Sequence, residues 1–328
     1  LEITDHSILW EDHNWNGDKE TLLDRIPLHP HDDRLWALMV ALRNGFSPEE
    51  LSVITKIDPW FTRAFANIVA MEQRLLSEPL DKTLMWESKR LGFSDENIGV
   101  LKGMSSEEVR VLRHKQNIKP VFKMVDTCAA EFEAETPYFY STYEQENEAA
   151  SLSGPKALVV GSGPIRIGQG IEFDYCSVHA AWALQEEGIK SIMVNSNPET
   201  VSTDFDTSDR LYIEPLDEES VRDILDNEAS QHENQDIVFP PSVVQFGGQT
   251  AINLSQSLDI ANMPILGSTA QSIDTASDRY QFEEFLASIG IPNPPGGSVL
   301  TLDEALNVTK EVGYPVLVRP SYVLGGRA

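Results

Sequence analysis

The chain has 328 residues, of which 52 are acidic and 25 basic, and its formal net charge at pH 7 is −27. A protein that binds a nucleic-acid duplex or an anionic membrane surface needs clustered Lys and Arg, so this balance excludes both classes. The apolar share of 41% is enough for ordinary globular cores, and at about 100–200 residues per domain two domains are the default expectation. Any anion that the protein binds must be met by a few positioned cations.

The sequence carries no export or membrane signal. No apolar run reaches the ~18 residues that span a bilayer, and Leu1–His6 lacks the basic and apolar regions of a signal peptide. Cys128 and Cys176 fit a reducing compartment better than a disulfide framework. We therefore predict a cytoplasmic protein. Because Leu1 is not a usual start and the chain stops in a glycine-rich loop, we expect a piece of a longer protein.

The first 150 residues contain explicit signals for short helices. Ser47–Glu50 and Ser105–Glu108 are capping boxes, in which the serine accepts from the third helical N–H and the glutamate reaches back. Asp58 precedes a proline and opens a third helix in a similar way. Gly45 and Gly92 stand where helices should stop.

A period of two occurs in this region only at residues 138–143, so residues 1–150 are predicted to be all-α. The polar residues 143–154 are interpreted as a linker, after which the pattern changes. The predicted strands that follow are 156–160, 191–194, 242–246 and 264–266, and the predicted helices between them are 172–187, 217–229 and 250–258. Such alternation indicates an open, mostly parallel, Rossmann-like sheet.

The last 60 or so residues follow a third pattern. Helices are predicted at 269–276, 279–289 and 302–312, followed by a strand at 315–319 and then by the terminal glycine-rich loop. This arrangement predicts the beginning of a further domain.

The loop Gly161–Gly170 leaves the first predicted strand and leads into a helix. Glycines at that point let backbone N–H groups approach an anion. The dinucleotide fingerprint is incomplete, because Arg166 occupies the third glycine position and Asn195–Asn197 stand where a ribose-binding acid is expected. NAD binding is therefore disfavoured, and a turn that serves packing alone is the remaining alternative to an anion site.

Residues 151–328 contain only nine basic residues, and four of these lie in predicted loops or at the ends of predicted helices and strands. These four are Arg166, Arg279, Arg319 and Arg327. Phosphate groups favour arginine forks together with backbone N–H groups, so the joint placement predicts anion contacts. The competing interpretation for each one is a solvated surface arginine.

The acidic and amide-rich residues 195–209 follow a predicted strand, so they should lie at the carboxyl edge of the sheet, where ligands bind. Glu172 and Glu199 are candidates for lining a polar site there, or else for complementing a helix dipole. His179 is predicted to be a packed core residue rather than a ligand. The spacing supports no catalytic triad or dyad, and we assign neither a catalytic residue nor a metal site.

Long runs of the sequence resemble the large chain of carbamoyl-phosphate synthase. The runs are Gly163–Cys176, Met193–Asp204, Gln245–Thr250 and Val318–Ala328, and residues 114–132 resemble the end of that family's helical oligomerisation domain. The resemblance implies a multidomain α and α/β protein in three parts. These are an all-α oligomerisation domain at 1–150, a pre-ATP-grasp domain at 151–267 and a truncated ATP-grasp domain at 268–328.

The resemblance also implies a function. It places the chain in the second half of a glutamine-dependent enzyme, which phosphorylates carbamate with ATP to carbamoyl phosphate for pyrimidine and arginine biosynthesis. The implied partners are a glutaminase small chain and further copies bound through residues 1–150. ATP and Mg²⁺ or Mn²⁺ are implied as cofactors, with the metal ligands beyond Ala328, so this chain alone is expected to be inactive.

Site residues are transferred only where the motifs match. The residues that resemble ATP-phosphate contacts are Arg279, Arg319, Gly325 and Gly326, and those that resemble the family's internal carbamate path are Arg166, Glu172 and Glu199. Two alternatives from other classes stay open. One is another ATP-grasp ligase, such as a carboxylase, and the other is a non-catalytic assembly module.

Overall fold

The computed structural model describes residues 22, 28–31, 33–126, 128–129, 131–132, 138–164, 171–231, 237–299 and 301–318. The chain forms two compact units, Leu1–Lys119 and Pro120–Ala328. Within the described ranges, no helix combines the length and the apolar character that crossing a membrane would require.

The first unit is helical throughout its described part. Its helices are α1 (Arg34–Arg43), α2 (Pro48–Thr55), α3 (Pro59–Ser77), α4 (Lys82–Arg90), α5 (Asp95–Lys102) and α6 (Ser106–Lys115). Buried Leu38, Leu42, Leu51 and Val69 bring α1, α2 and α3 into one core. The apolar spacing of the sequence thus becomes the packed face of each helix.

The helix starts follow the predicted chemistry. The Ser47 hydroxyl accepts from the N–H of Glu50 at 3.1 Å, and the Glu50 carboxylate accepts from the N–H of Ser47 at 2.7 Å. Ser105 and Glu108 form the same pair of bonds at 3.2 and 2.8 Å. The Asp58 carboxylate accepts from the N–H of Trp60 at 2.8 Å. The three predicted starts are confirmed, and each cap contributes about 1 kcal/mol.

The second unit contains one large sheet flanked by helices. Its strands are β1 (Val121–Met124), β2 (Tyr138–Thr142), β3 (Lys156–Val160), β4 (Lys190–Asn195), β5 (Arg210–Ile213), β6 (Ser230–Gln231), β7 (Ile237–Val238) and β8 (Ser242–Val243). Its helices are α7 (Glu172–Glu186), α8 (Glu218–Glu228), α9 (Gly248–Ile252), α10 (Leu254–Ile260), α11 (Ala270–Ser277), α12 (Arg279–Ser288) and α13 (Leu302–Val312), with a 3₁₀ turn at Val201–Thr203. The sheet order is β1-β2-β5-β4-β3-β8, and β6 pairs with β7 separately.

Only the β1–β2 pair in the large sheet is antiparallel, and β2, β5, β4, β3 and β8 run parallel to one another. Leu158 on β3 packs into the cluster formed with α8, α9 and α10, whereas its neighbour Val159 packs into the cluster that includes Ala181 and Leu184 of α7. Successive side chains of a strand point to opposite faces, so both faces of the sheet are covered. The predicted mostly parallel α/β architecture is confirmed.

The prediction of an all-α part up to residue 150 is wrong beyond the first unit. Strands β1 and β2 belong to the second unit, where Tyr138 pairs with Leu211 and Phe139 with Tyr212. Four-residue β1 shows no alternation of its own, because it is a half-buried edge strand. Strand β2 in turn pairs with β5, about 70 residues further along the chain, and a local sequence window cannot show such a pairing.

Residues 143–154 are not a loose linker. The Asn147 side-chain oxygen accepts from the N–H of Phe122 at 2.9 Å, and Ala149 is fully buried. The Glu228 carboxylate of α8 accepts from the N–H of Leu152 at 2.9 Å. The polar composition of this segment satisfies buried backbone and side-chain groups instead of exposing a domain boundary.

The strands nearest the end of the chain are shorter than predicted. Of 242–246 only Ser242 and Val243 are in a strand, and of 264–266 only Ile265 forms a single bridge, to Ser242. Residues 315–318 form no strand, and Val318 is 83% exposed. A strand exists only through bonds to a neighbouring strand, and the described residues offer none to residues 315–318. The division of this unit at residue 267 stays a prediction.

Candidate functional site

The candidate site lies at the carboxyl edge of the parallel strands. The chain passes from β3 to β4 on one side of β3, while β8 pairs on the other side. The strand order therefore reverses at β3, and in open α/β sheets ligands bind in the crevice at such a switch point. The loops that follow β3, β4 and β8 meet at this edge.

Two glycines let the loops after β3 and β8 approach each other. A Cβ atom added to Gly247 would lie 2.3 Å from the carbonyl oxygen of Gly161 and 2.6 Å from that of Val160. A Cβ atom added to Gly161 would lie 2.7 Å from the Asn195 amide nitrogen. These distances are too short for any side chain, so Gly247 is required by the backbone of the loop after β3 and Gly161 by the buried amide side chain of Asn195.

A buried carboxylate lies at the centre of the edge. Asp174, in the first turn of α7, is 1% exposed. Its Oδ1 accepts hydrogen bonds from Ser162 Oγ at 3.1 Å, from Asn195 Nδ2 at 3.1 Å and from Ser202 Oγ at 2.8 Å. Its Oδ2 accepts from Thr200 Oγ1. The four donors saturate the carboxylate and join the loop after β3, the end of β4 and the loop after β4.

This arrangement argues against a dinucleotide site. In such sites a phosphate group lies at the helix N-terminus that follows the first strand. Here the first turn of α7 already holds the carboxylate of Asp174, and an added phosphate would face a like charge. The structure thus supports the same conclusion as the incomplete glycine fingerprint.

The sequence prediction overlooked Asp174, although a signal was present. The buried positions of α7 include Asp174, Ser177, Val178, Ala181 and Leu184, which follow the helical spacing. Extending the apolar stripe backwards from Leu184 would have placed the aspartate on the buried face.

Glu172 and Glu199 lie on the two segments that Asp174 joins, and both are exposed. Glu172 is the first residue of α7, and the N–H of Glu199 donates to Asn197 Oδ1 at 3.1 Å. Of the other predicted site residues, only Arg279 lies within the described residues. Arg166, Arg319, Gly325 and Gly326 lie outside them.

Arg279 opens helix α12 and is half-buried. The Asp278 carboxylate caps this helix by accepting from the N–H of Gln281 at 2.8 Å. Among the residues that the structure describes, none forms an ion pair with the Arg279 guanidinium. A guanidinium that forms no ion pair within the described residues can bind a phosphate group through two parallel N–H donors.

The prediction that His179 is a core residue is wrong. Its side chain is exposed on α7, between the ring of Tyr175 at 4.4 Å and the ring of Trp182 at 5.3 Å. These aromatic side chains form their own stripe on a different face from the buried one. The helical phase that buries Asp174, Val178 and Ala181 places His179 outside the packed face.

A second buried carboxyl group lies at the carboxyl end of β5. Glu214 is 7% exposed, and burial raises its pKa to about 7. Hydrogen bonds from the N–H and the hydroxyl of Ser141 on β2 oppose this shift, while Asp217 and Asp223 add to it. The sequence prediction did not include Glu214, whose burial depends on the β1–β2 pair.

Comparison with known proteins gives three family matches along the chain. Residues 1–117 match the carbamoyl-phosphate synthetase large chain, oligomerisation domain. Residues 153–275 match the carbamoyl phosphate synthase preATP-grasp domain, and residues 278–328 match the carbamoyl-phosphate synthase L chain, ATP binding domain.

Individual relatives give the same result. The chain is 58% identical, over its whole length, to the carbamoyl phosphate synthase large chain of Thermomicrobium roseum, of which it covers 30%. It is 52% identical over 92% of its length to the protein of that name from Lachnoclostridium phytofermentans, covering 28% of it. It is 51% identical over 95% of its length to the protein of that name from Methanothermobacter thermautotrophicus, covering 29% of it. The chain therefore spans about 30% of the length of these relatives.

Proposed function

Because the chain belongs to the family of carbamoyl phosphate synthase large chains, we propose that residues 151–328 begin the half of such an enzyme that phosphorylates carbamate with ATP. One observation carries this proposal: the oligomerisation match comes directly before the preATP-grasp and ATP-binding matches. A helical domain in front of this pair of domains distinguishes the second half of the large chain from the first. The whole enzyme would be cytoplasmic and supply pyrimidine and arginine biosynthesis, with ammonia from a glutaminase small chain.

In the proposed reaction, a carbamate oxygen attacks the γ-phosphorus of ATP, the bond to the β–γ bridging oxygen breaks, and ADP leaves. Little covalent chemistry falls to the protein, so positioning and charge stabilisation account for catalysis. Arg279 would contact the phosphates of ATP, together with Arg319 and the backbone of Gly325 and Gly326. The half-buried Arg279 guanidinium, unpaired within the described residues, supports this role.

Mg²⁺ or Mn²⁺ would neutralise the charge of the transferring phosphates. We propose that its ligands lie outside this chain. Asp174 is not assigned as a ligand, because its carboxylate is 1% exposed and is enclosed by four side-chain donors. Arg166, Glu172 and Glu199 would instead line the path by which carbamate arrives. With its metal ligands elsewhere, the 328-residue chain would be inactive on its own.

Replacing Arg279 by alanine tests the role in phosphate binding. In the complete large chain with its small chain, R279A is expected to lower about 100-fold the kcat for ATP formation from ADP and carbamoyl phosphate. Lys310→Ala, an exposed cation in the last turn of α13, is the matched control and should leave kcat unchanged. A kcat for R279A equal to that of the control would contradict the assignment of Arg279 to phosphate binding. The 328-residue chain, which we expect to be inactive, gives the background rate of the assay.

A second candidate function, assembly, is favoured by the surface of the helical unit. Trp60 is 69% exposed and Phe61 51%, their rings lie 5.0 Å apart, and Val53 nearby in sequence on α2 is 69% exposed. Large apolar side chains that are exposed, as Trp60 and Phe61 are, occur typically in docking surfaces. We propose that the chain associates with further copies through this unit, which is shorter than the predicted 1–150.

Sedimentation of the 328-residue chain tests this association. We expect an oligomer at tens of micromolar, and we expect Trp60→Ser to shift it towards the monomer because less apolar surface is buried on association. Trp86→Ser is the control, since Trp86 is partly covered by the Arg90 guanidinium, 4.7 Å from its ring centre. A wild-type monomer at that concentration would contradict the proposal.

A further inference from the structure

Asp174 connects segments that the fold would otherwise leave independent. Residues 196–209 between β4 and β5 contain only one short 3₁₀ turn. Ordering such a loop costs conformational entropy, which specific contacts must offset. Ser202 and Thr200 of this loop both donate to the Asp174 carboxylate, so one side chain of α7 fixes the loop at two points.

Asn195 extends the same connection to the loop after β3. Its Nδ2 donates to both Asp174 Oδ1 and Ser202 Oγ, the latter at 2.9 Å. Its Oδ1 accepts from the N–H of Gly163 at 3.1 Å and from the N–H of Asn197 at 3.2 Å. Asp174 and Asn195 are both buried, so their bonds are shielded from competing water.

The exposed carboxylates flank this connection. Glu172 lies two residues before Asp174, and Glu199 lies directly before Thr200. The Thr200–Asp174 hydrogen bond is therefore a direct link between the segments that carry Glu172 and Glu199.

We propose that Asp174 is a positioning residue, which holds Glu172 and Glu199 at a fixed separation at the carboxyl edge. Its importance for turnover rests on the proposed function, in which these two glutamates line the path of carbamate. Asp174 contacts no substrate itself. It acts by supplying a charged acceptor to four donors from three segments.

Amide hydrogen exchange, measured in the 328-residue chain, tests the structural part of the proposal without reference to activity. Asp174→Asn and Thr200→Val are expected to speed amide hydrogen exchange in residues 196–203 at least tenfold, with β3 and β4 remaining protected. Thr200→Ser, which keeps the hydroxyl, should restore slow exchange. The control is Ser177→Ala, a buried residue of α7 whose hydroxyl, within the described part of the chain, donates in its own helix to the carbonyl of Phe173 at 3.1 Å. Unchanged exchange in both D174N and T200V would overturn the proposal.

The complete enzyme tests the functional part. D174N and T200V are expected to lower overall synthesis of carbamoyl phosphate from bicarbonate about tenfold, and to change ATP formation from ADP and carbamoyl phosphate less than threefold, because the latter substrates need no path. Equal losses in both rates would overturn positioning of the path by Asp174. If the wild-type enzyme formed no ATP from ADP and carbamoyl phosphate, the proposed function would be contradicted. The hydrogen-exchange experiment would still decide whether Asp174 holds the loop at residues 196–209.

Discussion

Replacing Glu228 by glutamine is expected to lower the free energy of unfolding of the second unit by about 3–5 kcal/mol. Glu228, at the end of α8, is fully buried. Its Oε1 accepts from Arg210 Nη1 and from the Tyr212 hydroxyl at 2.7 Å, and its Oε2 accepts from Lys156 Nζ at 3.3 Å. Removing the one negative charge leaves two buried cations without a counter-charge, which is far costlier than losing a surface ion pair.

The opening free energy of the β4 amides, obtained from hydrogen exchange, measures this change within the second unit. Glu218→Gln is the matched control, because the Glu218 carboxylate is exposed to solvent and, within the described residues, pairs with Arg222 one helical turn away, and such pairs contribute about 0.5 kcal/mol. Adding Lys156→Met to E228Q should lower the free energy of unfolding less than Lys156→Met does in the wild type, because in E228Q the Lys156 ammonium has already lost its charged partner. A loss below about 1 kcal/mol for E228Q would show that the pair is not essential.

The Glu228 carboxylate also explains why part of the fold could not be predicted from the sequence. After Lys156 at its start, strand β3 is an apolar run of four residues, and its bounds were predicted correctly. Strand β5 begins with Arg210, and a charge inside a four-residue strand argues locally against burial. Its partner Glu228 is 18 residues away, so the pairing that makes this burial possible exists only in the folded chain.

The candidate site shows the same division between local and distant information. Capping boxes act within one helical turn, which is why Ser47 and Ser105 could be assigned from the sequence. The edge rule for parallel sheets predicts a polar site near Glu172 and Glu199. It could not show that Asp174 holds their segments together, because this depends on which face of α7 meets the sheet.

Raising the pH from about 5 to 8 is expected to weaken the second unit through Glu214 by about 3 kcal/mol, since each pKa unit between the folded and unfolded states is worth about 1.4 kcal/mol. Burial raises the pKa of this carboxyl group from 4.5 to about 7 in the folded chain. Between these values the folded state binds more protons than the unfolded state, so the free energy of unfolding falls as pH rises. The stabilisation is fully present below pH 4.5 and is lost through pH 7.

Glu214→Gln isolates this contribution, because the amide stays neutral and its oxygen can still accept from the N–H of Ser141. The variant should match the wild type near pH 5 and exceed it in stability at pH 8, as measured by the opening free energy of the β4 amides at each pH. Parallel pH curves for E214Q and wild type would contradict the prediction.

Glu148→Gln should show the opposite sign: the hydrogen bond from Lys123 lowers the pKa of Glu148, so the stability that this group provides is present at neutral pH and lost in acid. Two carboxyl groups of one unit would then respond to pH in opposite directions, one because it is buried near other acids and one because it is paired with a lysine.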